Sequence, residues 1–264
     1  MRTLAVLMLV MLVMFGYGTA AGQDSDLLAK AKQEAGHLAL IQKNWGQKMG
    51  SVGATMTLKE VSRESVNGAT GIKYHIFVTG MPKDKLYSLV AVSFDLRPVT
   101  YLQGITLDDS GMAICAGRPE TCGDSSKPND PVEPILLAAK GEPKRFGLIS
   151  SDGQNKAFVS VTPFPIEGKD RGCSVDVTLL LAHGEAVLIH GAGFQSNATV
   201  NVVTQSENEK ASGDLKSDSN GEVYYIELPY VKGKTDGQAQ VTLTSQACAP
   251  SVSYKWGKNT YRMQ

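Results

Sequence analysis

The side chains able to do chemistry are few and scattered. Four histidines, His37, His75, His183 and His190, show no HExxH pair or other metal-ligand spacing. No serine sits in a G-x-S-x-G elbow. The stretch "IHGAGFQSNATVNV", residues 189–202, sets Gly191 and Gly193 one residue apart after an apolar run. A phosphate cradle of that kind needs a third glycine and a following helix whose amides face the anion. Here strand alternation continues instead, with Val200 and Val202 on one face. The expectation is therefore a turn between strands, in which both glycines supply backbone freedom and Phe194 tucks its ring under a sheet. His75 alternates with apolar neighbours and is expected in solvent, whereas His190 is expected buried with a backbone partner.

The acidic residues lead no further. Asp108-Asp109, and Asp218 with Asn220, have the look of calcium loops, but Lys216 stands where the first carboxylate is required, and a hairpin turn is expected. Asp95, Asp108 and Asp109 make a glycosidase pair only at a particular separation, which a sequence does not fix. No catalytic residue, cofactor or metal is assigned. Aromatics are the remaining lead: Tyr224, Tyr225, Tyr230, Tyr254, Trp256 and Tyr261 crowd the C-terminal part. Exposed rings stack on sugars, which makes Tyr224, Tyr230, Trp256 and Tyr261 candidate ligand aromatics. The competing expectation fills a core with Tyr225 or Tyr224, Tyr254 and Trp256.

The elements that position these residues begin with an address. Arg2, the apolar run Leu4–Phe15 and the small residues of "GYGTAAGQD" read as a secretory signal peptide over 1–21. The run is too short for a membrane span, and no later segment is long and apolar enough. Removing it takes Lys+Arg from 26 to 25 against 26 Asp+Glu, a near-neutral balance that argues against nucleic acid as partner. Export suits the cysteines. Cys115, Cys122, Cys173 and Cys248 form an even set with three possible pairings, of which Cys115–Cys122 and Cys173–Cys248 are favoured. Their spacings do not match short zinc-ligand pairs.

An N-terminal helix is expected within 22–50, with Leu27, Ala31, Leu38, Ile41 and Trp45 along one side. From Val52 the period becomes two. Ile72, Tyr74, Ile76 and Val78 alternate, as do Val175, Val177, Leu179 and Leu181. Pro163 and Pro165 interrupt the pattern, because two prolines so close do not fit a central strand. The boundary falls between 163 and 173. The expected fold is mainly β: two immunoglobulin-like antiparallel sandwiches over 51–165 and 166–264, the first with a disulfide-bracketed insertion.

The two halves answer one another. "FVTGMPKDKLYSLVAV" then "LDDSGMAIC" parallels "IHGAGFQSNATVNVVT" then "KSDSNGEVYYIEL": strand, glycine turn, strand, Asp-to-Gly turn, strand. Over residues 175–257 the second half resembles the immunoglobulin-like domains of the IPT/TIG kind found in exported bacterial proteins. Gly191, Gly193, Phe194, Asp218 and Gly221 stand at the positions of that family's G-x-G-F and D-x-x-G turns. The resemblance implies a fold and is nearly silent about activity. It makes the expected function that of a non-catalytic exported module, periplasmic or extracellular, binding a protein or cell-envelope component. The alternatives are a carbohydrate-binding module and, third, an extracytoplasmic hydrolase. The sequon Asn197-Ala-Thr199 counts only in a eukaryotic secretory route.

Overall fold

The computed structural model describes residues 23–45, 49–94, 96–117, 122, 127–258, 260, 263 and 264. The expected signal peptide, Asp95, Tyr261 and most of the segment between Cys115 and Cys122 lie outside the described residues. The described chain is mainly β and divides into two compact units between Pro165 and Ile166. Helix α1 (Gln23–Asn44) falls across the division, between Ala39 and Leu40. Each unit is an antiparallel β-sandwich.

In the first unit, β1 (Thr55–Val66), β2 (Ala69–Thr79) and β6 (Ile135–Leu136) form one sheet in the order β1-β2-β6. The other holds β3 (Tyr87–Val92), β4 (Pro98–Leu107), β5 (Ala113–Cys115), β7 (Lys144–Ser150) and β8 (Lys156–Val161), in the order β5-β4-β3-β7-β8. Period-two alternation buries Ile72, Tyr74, Ile76 and Val78 of β2 against Tyr87, Leu89, Ile105 and Leu148. Each fully buried aliphatic side chain contributes about 1.5–3 kcal/mol. Asn67-Gly68 joins β1 to β2 with positive φ at both residues, which matches the twist of a tight hairpin. β1 lies at the sheet edge, and its pairing with β2 slips by a bulge between Glu60 and Ser62.

The end of α1 docks on this unit. Trp45 donates its indole N–H to the Val159 carbonyl at 3.0 Å and meets the Phe158 ring edge-on at 5.4 Å. Gln42 accepts from Arg145 Nε at 2.7 Å and donates to Ser160 Oγ at 3.2 Å. Arg145 is buried, and that burial lowers its pKa to about 10. The buried stripe of the helix differs from the expected one. Ala35, Leu38 and Ala39 are buried and Ala31 is exposed, while the Leu27 side chain lies outside the described residues.

The second unit pairs the sheet β14-β11-β10-β9 with the sheet β13-β12-β15-β16. The strands are β9 (Ile166–Asp170), β10 (Cys173–Leu179), β11 (Val187–Ala192), β12 (Thr199–Ser206), β13 (Glu209–Lys216), β14 (Val223–Glu227), β15 (Asp236–Thr244) and β16 (Ser251–Gly257). Val175, Val177, Leu179, Val187 and Ile189 from one sheet meet Val200, Val202, Val241 and Leu243 from the other. Two details depart from expectation. The polar stretch after Pro165, which shows no apolar alternation, is β9, hydrogen-bonded to β10 from Ile166 to Asp170. Met263 and Gln264, expected in the second domain, pair with Ala139 and Ala138 of the first unit.

Strand order repeats between the units. β4-β3-β7-β8 of the first corresponds to β13-β12-β15-β16 of the second, and β1-β2-β6 to β10-β11-β14. Among the described residues no helix is long and apolar enough to cross a membrane.

Candidate functional site

On β10, β11 and β14 the residues between the buried ones turn outward, and the register lines up their polar members. Asp176 pairs across from His190, His190 across from Tyr224, and Asp176 on its other side across from Glu167. His190 Nδ1 lies 2.8 Å from Asp176 Oδ1, so the carboxylate accepts that N–H and fixes the edge of the ring. Tyr224 stacks on the imidazole at 4.4 Å with the planes 16° apart. The Tyr224 hydroxyl donates to Glu222 Oε2 at 2.9 Å. Burial first, then the Glu222 carboxylate, pushes the Tyr224 phenol well above its ordinary range.

The second ring nitrogen is the loose end. His190 Nε2 stands 3.8 Å from Glu222 Oε1, beyond hydrogen-bonding distance, and has no hydrogen-bond partner among the described residues. The His190, Asp176 and Glu222 side chains are 24%, 37% and 33% exposed, so the row reaches the surface while His190 Nε2 itself is buried. Glu167 adds a further carboxylate, balanced by Lys169 at 3.1 Å. Chemically this is a rigid acidic and aromatic row around one imidazole, suited to accept hydrogen bonds and positive charge.

The adjoining turn carries the glycine motif. Gly193 has φ +84°, and a Cβ there would meet the Gly172 carbonyl oxygen, so glycine is required twice over. Gly191 differs from expectation. It lies within β11, and it is closed to larger residues by the side chains of Leu243, Val223 and Phe194 rather than by backbone conformation. Phe194 is buried, and its N–H donates to the Gly221 carbonyl at 3.2 Å. Asp218 Oδ1 accepts from the Asn220 and Glu222 amides, and its own carbonyl accepts from Gly221 N–H. These bonds close a turn inside the chain. In the first unit Asp108 does the same for Ser110 and Met112, while Asp109 pairs with Lys83.

The cysteines join as Cys115–Cys122 and Cys173–Cys248, with Cα separations of 5.8 and 6.2 Å. Two disulfides belong to an oxidising, extracytoplasmic compartment. The second ties the start of β10 to the turn between β15 and β16, and so one sheet of the sandwich to the other.

Among the described residues the candidate aromatics do not form one exposed platform. Trp256 is 2% exposed, with its indole N–H donating to Ser206 Oγ at 3.0 Å. Tyr225 and Tyr254 are also core residues. Tyr230 is exposed, with its ring tilted 59° against Trp256, and Tyr261 lies outside the described residues. Tyr224 stands in the row beside His190. His190 itself, expected buried with a backbone partner, is half-buried with a carboxylate partner. His75 faces outward in the first unit and meets Glu133 at 2.7 Å. Asp176 went unnoticed in the sequence because cross-strand register alone joins it to His190, and Glu222 because it reaches the ring from the turn before β14. Taken one at a time they look like any solvated residue.

No family model matches the chain, and no curated protein matches it. Among solved structures it is similar to a DUF3823 family protein from Bacteroides ovatus ATCC 8483, at 8% identity over 74% of this chain and 94% of that one, with a TM-score of 0.19. A score that low carries no argument about fold or activity.

Proposed function

We propose that the protein is a non-catalytic exported module of the bacterial surface or envelope, built from immunoglobulin-like sandwiches and binding a protein or envelope component. The second sandwich we read as IPT/TIG-like. The bond from Phe194 to Gly221 supports that reading, because it ties the two glycine turns of the motif into one structural unit. The observation that carries the functional reading is the Asp176–His190–Tyr224 row. Its reactive groups are held by one another, Nδ1 by Asp176 and the ring face by Tyr224. Such a row suits recognition, where rigid aromatic and charged side chains supply contact area at low entropic cost.

Sugar stacking is less well supported, since Trp256 is enclosed in the core and one face of Tyr224 is covered by His190. The test is a photo-crosslinking residue at position 167, across from Asp176, in the mature protein, exposed to envelope extract, beside a glycan array. Crosslinking to one defined partner, lost in His190→Ala, is expected. Glycan binding lost in Tyr230→Ala would replace this reading with the sugar-binding one.

A further inference from the structure

The alternation that turns Tyr224 and Ile226 of β14 outward turns Val223, Tyr225 and Glu227 into the sandwich. Glu227 is 5% exposed, directly across from the fully buried Val187. Among the described residues the ionisable groups that face it are two phenols, Tyr225 of its own strand and Tyr254 of β16. Among the described residues no cation pairs with it. On β12 of the facing sheet Thr204 and Ser206 are buried as well. The Ser206 hydroxyl is already engaged, donating to the Pro229 carbonyl at 2.5 Å and accepting from Trp256. Thr204 Oγ1 and the Tyr225 hydroxyl have no hydrogen-bond partner among the described residues. A carboxylate in such a place is strongly disfavoured, whereas a carboxylic acid is tolerated.

We propose that Glu227 is a proton switch inside the second sandwich, which closes around the neutral acid and loosens at the end of β14 when the proton leaves. Burial pushes its pKa up to about 7 from the ordinary 4.5. Between those values the folded unit binds more protons than the unfolded chain, so stability falls as pH rises through this window. It is at its full value below the ordinary pKa and level again above the folded one. β14 carries Tyr224 on its other face, so the same loosening reaches the His190 row from beneath. The switch stands on the interior geometry and does not depend on what the row binds.

Hydrogen exchange on the full chain tests it, with protection corrected for intrinsic rates from pH 5 to 8. Peptides covering Val223–Glu227 should lose about tenfold or more protection across that range. Glu227→Gln should flatten the profile, and peptides from β2 in the first unit serve as the internal control. Parallel profiles for wild type and Glu227→Gln overturn the proposal. Should the variant not fold, a carboxyl-carbon NMR titration of wild-type Glu227 decides. A midpoint near neutrality supports the switch, and a midpoint in the ordinary glutamate range overturns it.

Discussion

The two sandwiches place a histidine on the outer face of corresponding strands and give it opposite company. In the first unit His75 of β2 lies across from Lys59 and shares Glu133 with Lys73, which reaches that carboxylate at 3.3 Å. In the second unit His190 of β11 lies across from Asp176 on one side and Tyr224 on the other, with Glu222 beyond. The first arrangement is a balanced surface ion cluster. The second is an acidic and aromatic row with one ring nitrogen left over. A shared strand order therefore does not transmit a site, because the cross-strand partners create it.

The disulfides make the largest expected difference between the units. Removing Cys173–Cys248, whose cysteines are 75 residues apart, should cost the second sandwich about 4.5 kcal/mol in the loop-entropy model. Removing Cys115–Cys122, at a separation of 7, should cost the first about 2.5 kcal/mol. Paired Cys→Ser variants followed by urea unfolding measure both. Equal losses would mean that folded-state strain, not loop length, sets the values.

Phe194→Ala comes next, at about 3 kcal/mol, because it empties a buried ring site beside Gly191. Gly193→Ala should exceed about 1 kcal/mol, since positive φ and the nearby Gly172 oxygen both oppose a Cβ. Neither change should shift unfolding of the first unit. A unit-resolved probe such as hydrogen exchange separates the two.

The histidines themselves should matter least to stability. His190→Ala and His75→Ala are each expected to cost under about 1 kcal/mol, the ordinary value of partly exposed ion pairs. The comparison sharpens at the level of binding. His190→Ala should abolish crosslinking from position 167, while His75→Ala leaves it intact. Equal effects would return both residues to plain surface chemistry.

Strands buried on one face were easily read from the sequence. Ile72, Tyr74, Ile76 and Val78 alternate cleanly, as do Val175, Val177 and Leu179, because one side of each strand meets a core. Two edge strands escaped. β13 buries only Leu215 along its length, and β9 only Ile166, so neither shows an apolar period. On α1, the small residues Ala35 and Ala39 are buried where larger ones were expected to mark the stripe. Glu227 was legible in principle, since in "VYYIE" the period that buries Val223 and Tyr225 must also bury the acid. The His190 row was not, because register between strands is a tertiary property.

One consequence follows from the bulge in β1. A strand of 12 residues at a sheet edge offers unpaired amides and carbonyls on which a foreign chain can add itself. Here the register slips between Glu60 and Ser62, and Val61 is left out of the pairing. Lys59, Glu60, Arg63 and Glu64 crowd the same stretch with charges of both signs, Arg63 and Glu60 paired at 2.8 Å. A flat intruding strand would have to follow the kink and strip water from those charges. The irregularity that looks like a flaw in the hairpin thus guards the chain against fibre-like stacking, and straightening it by deleting Val61 should make the protein aggregate.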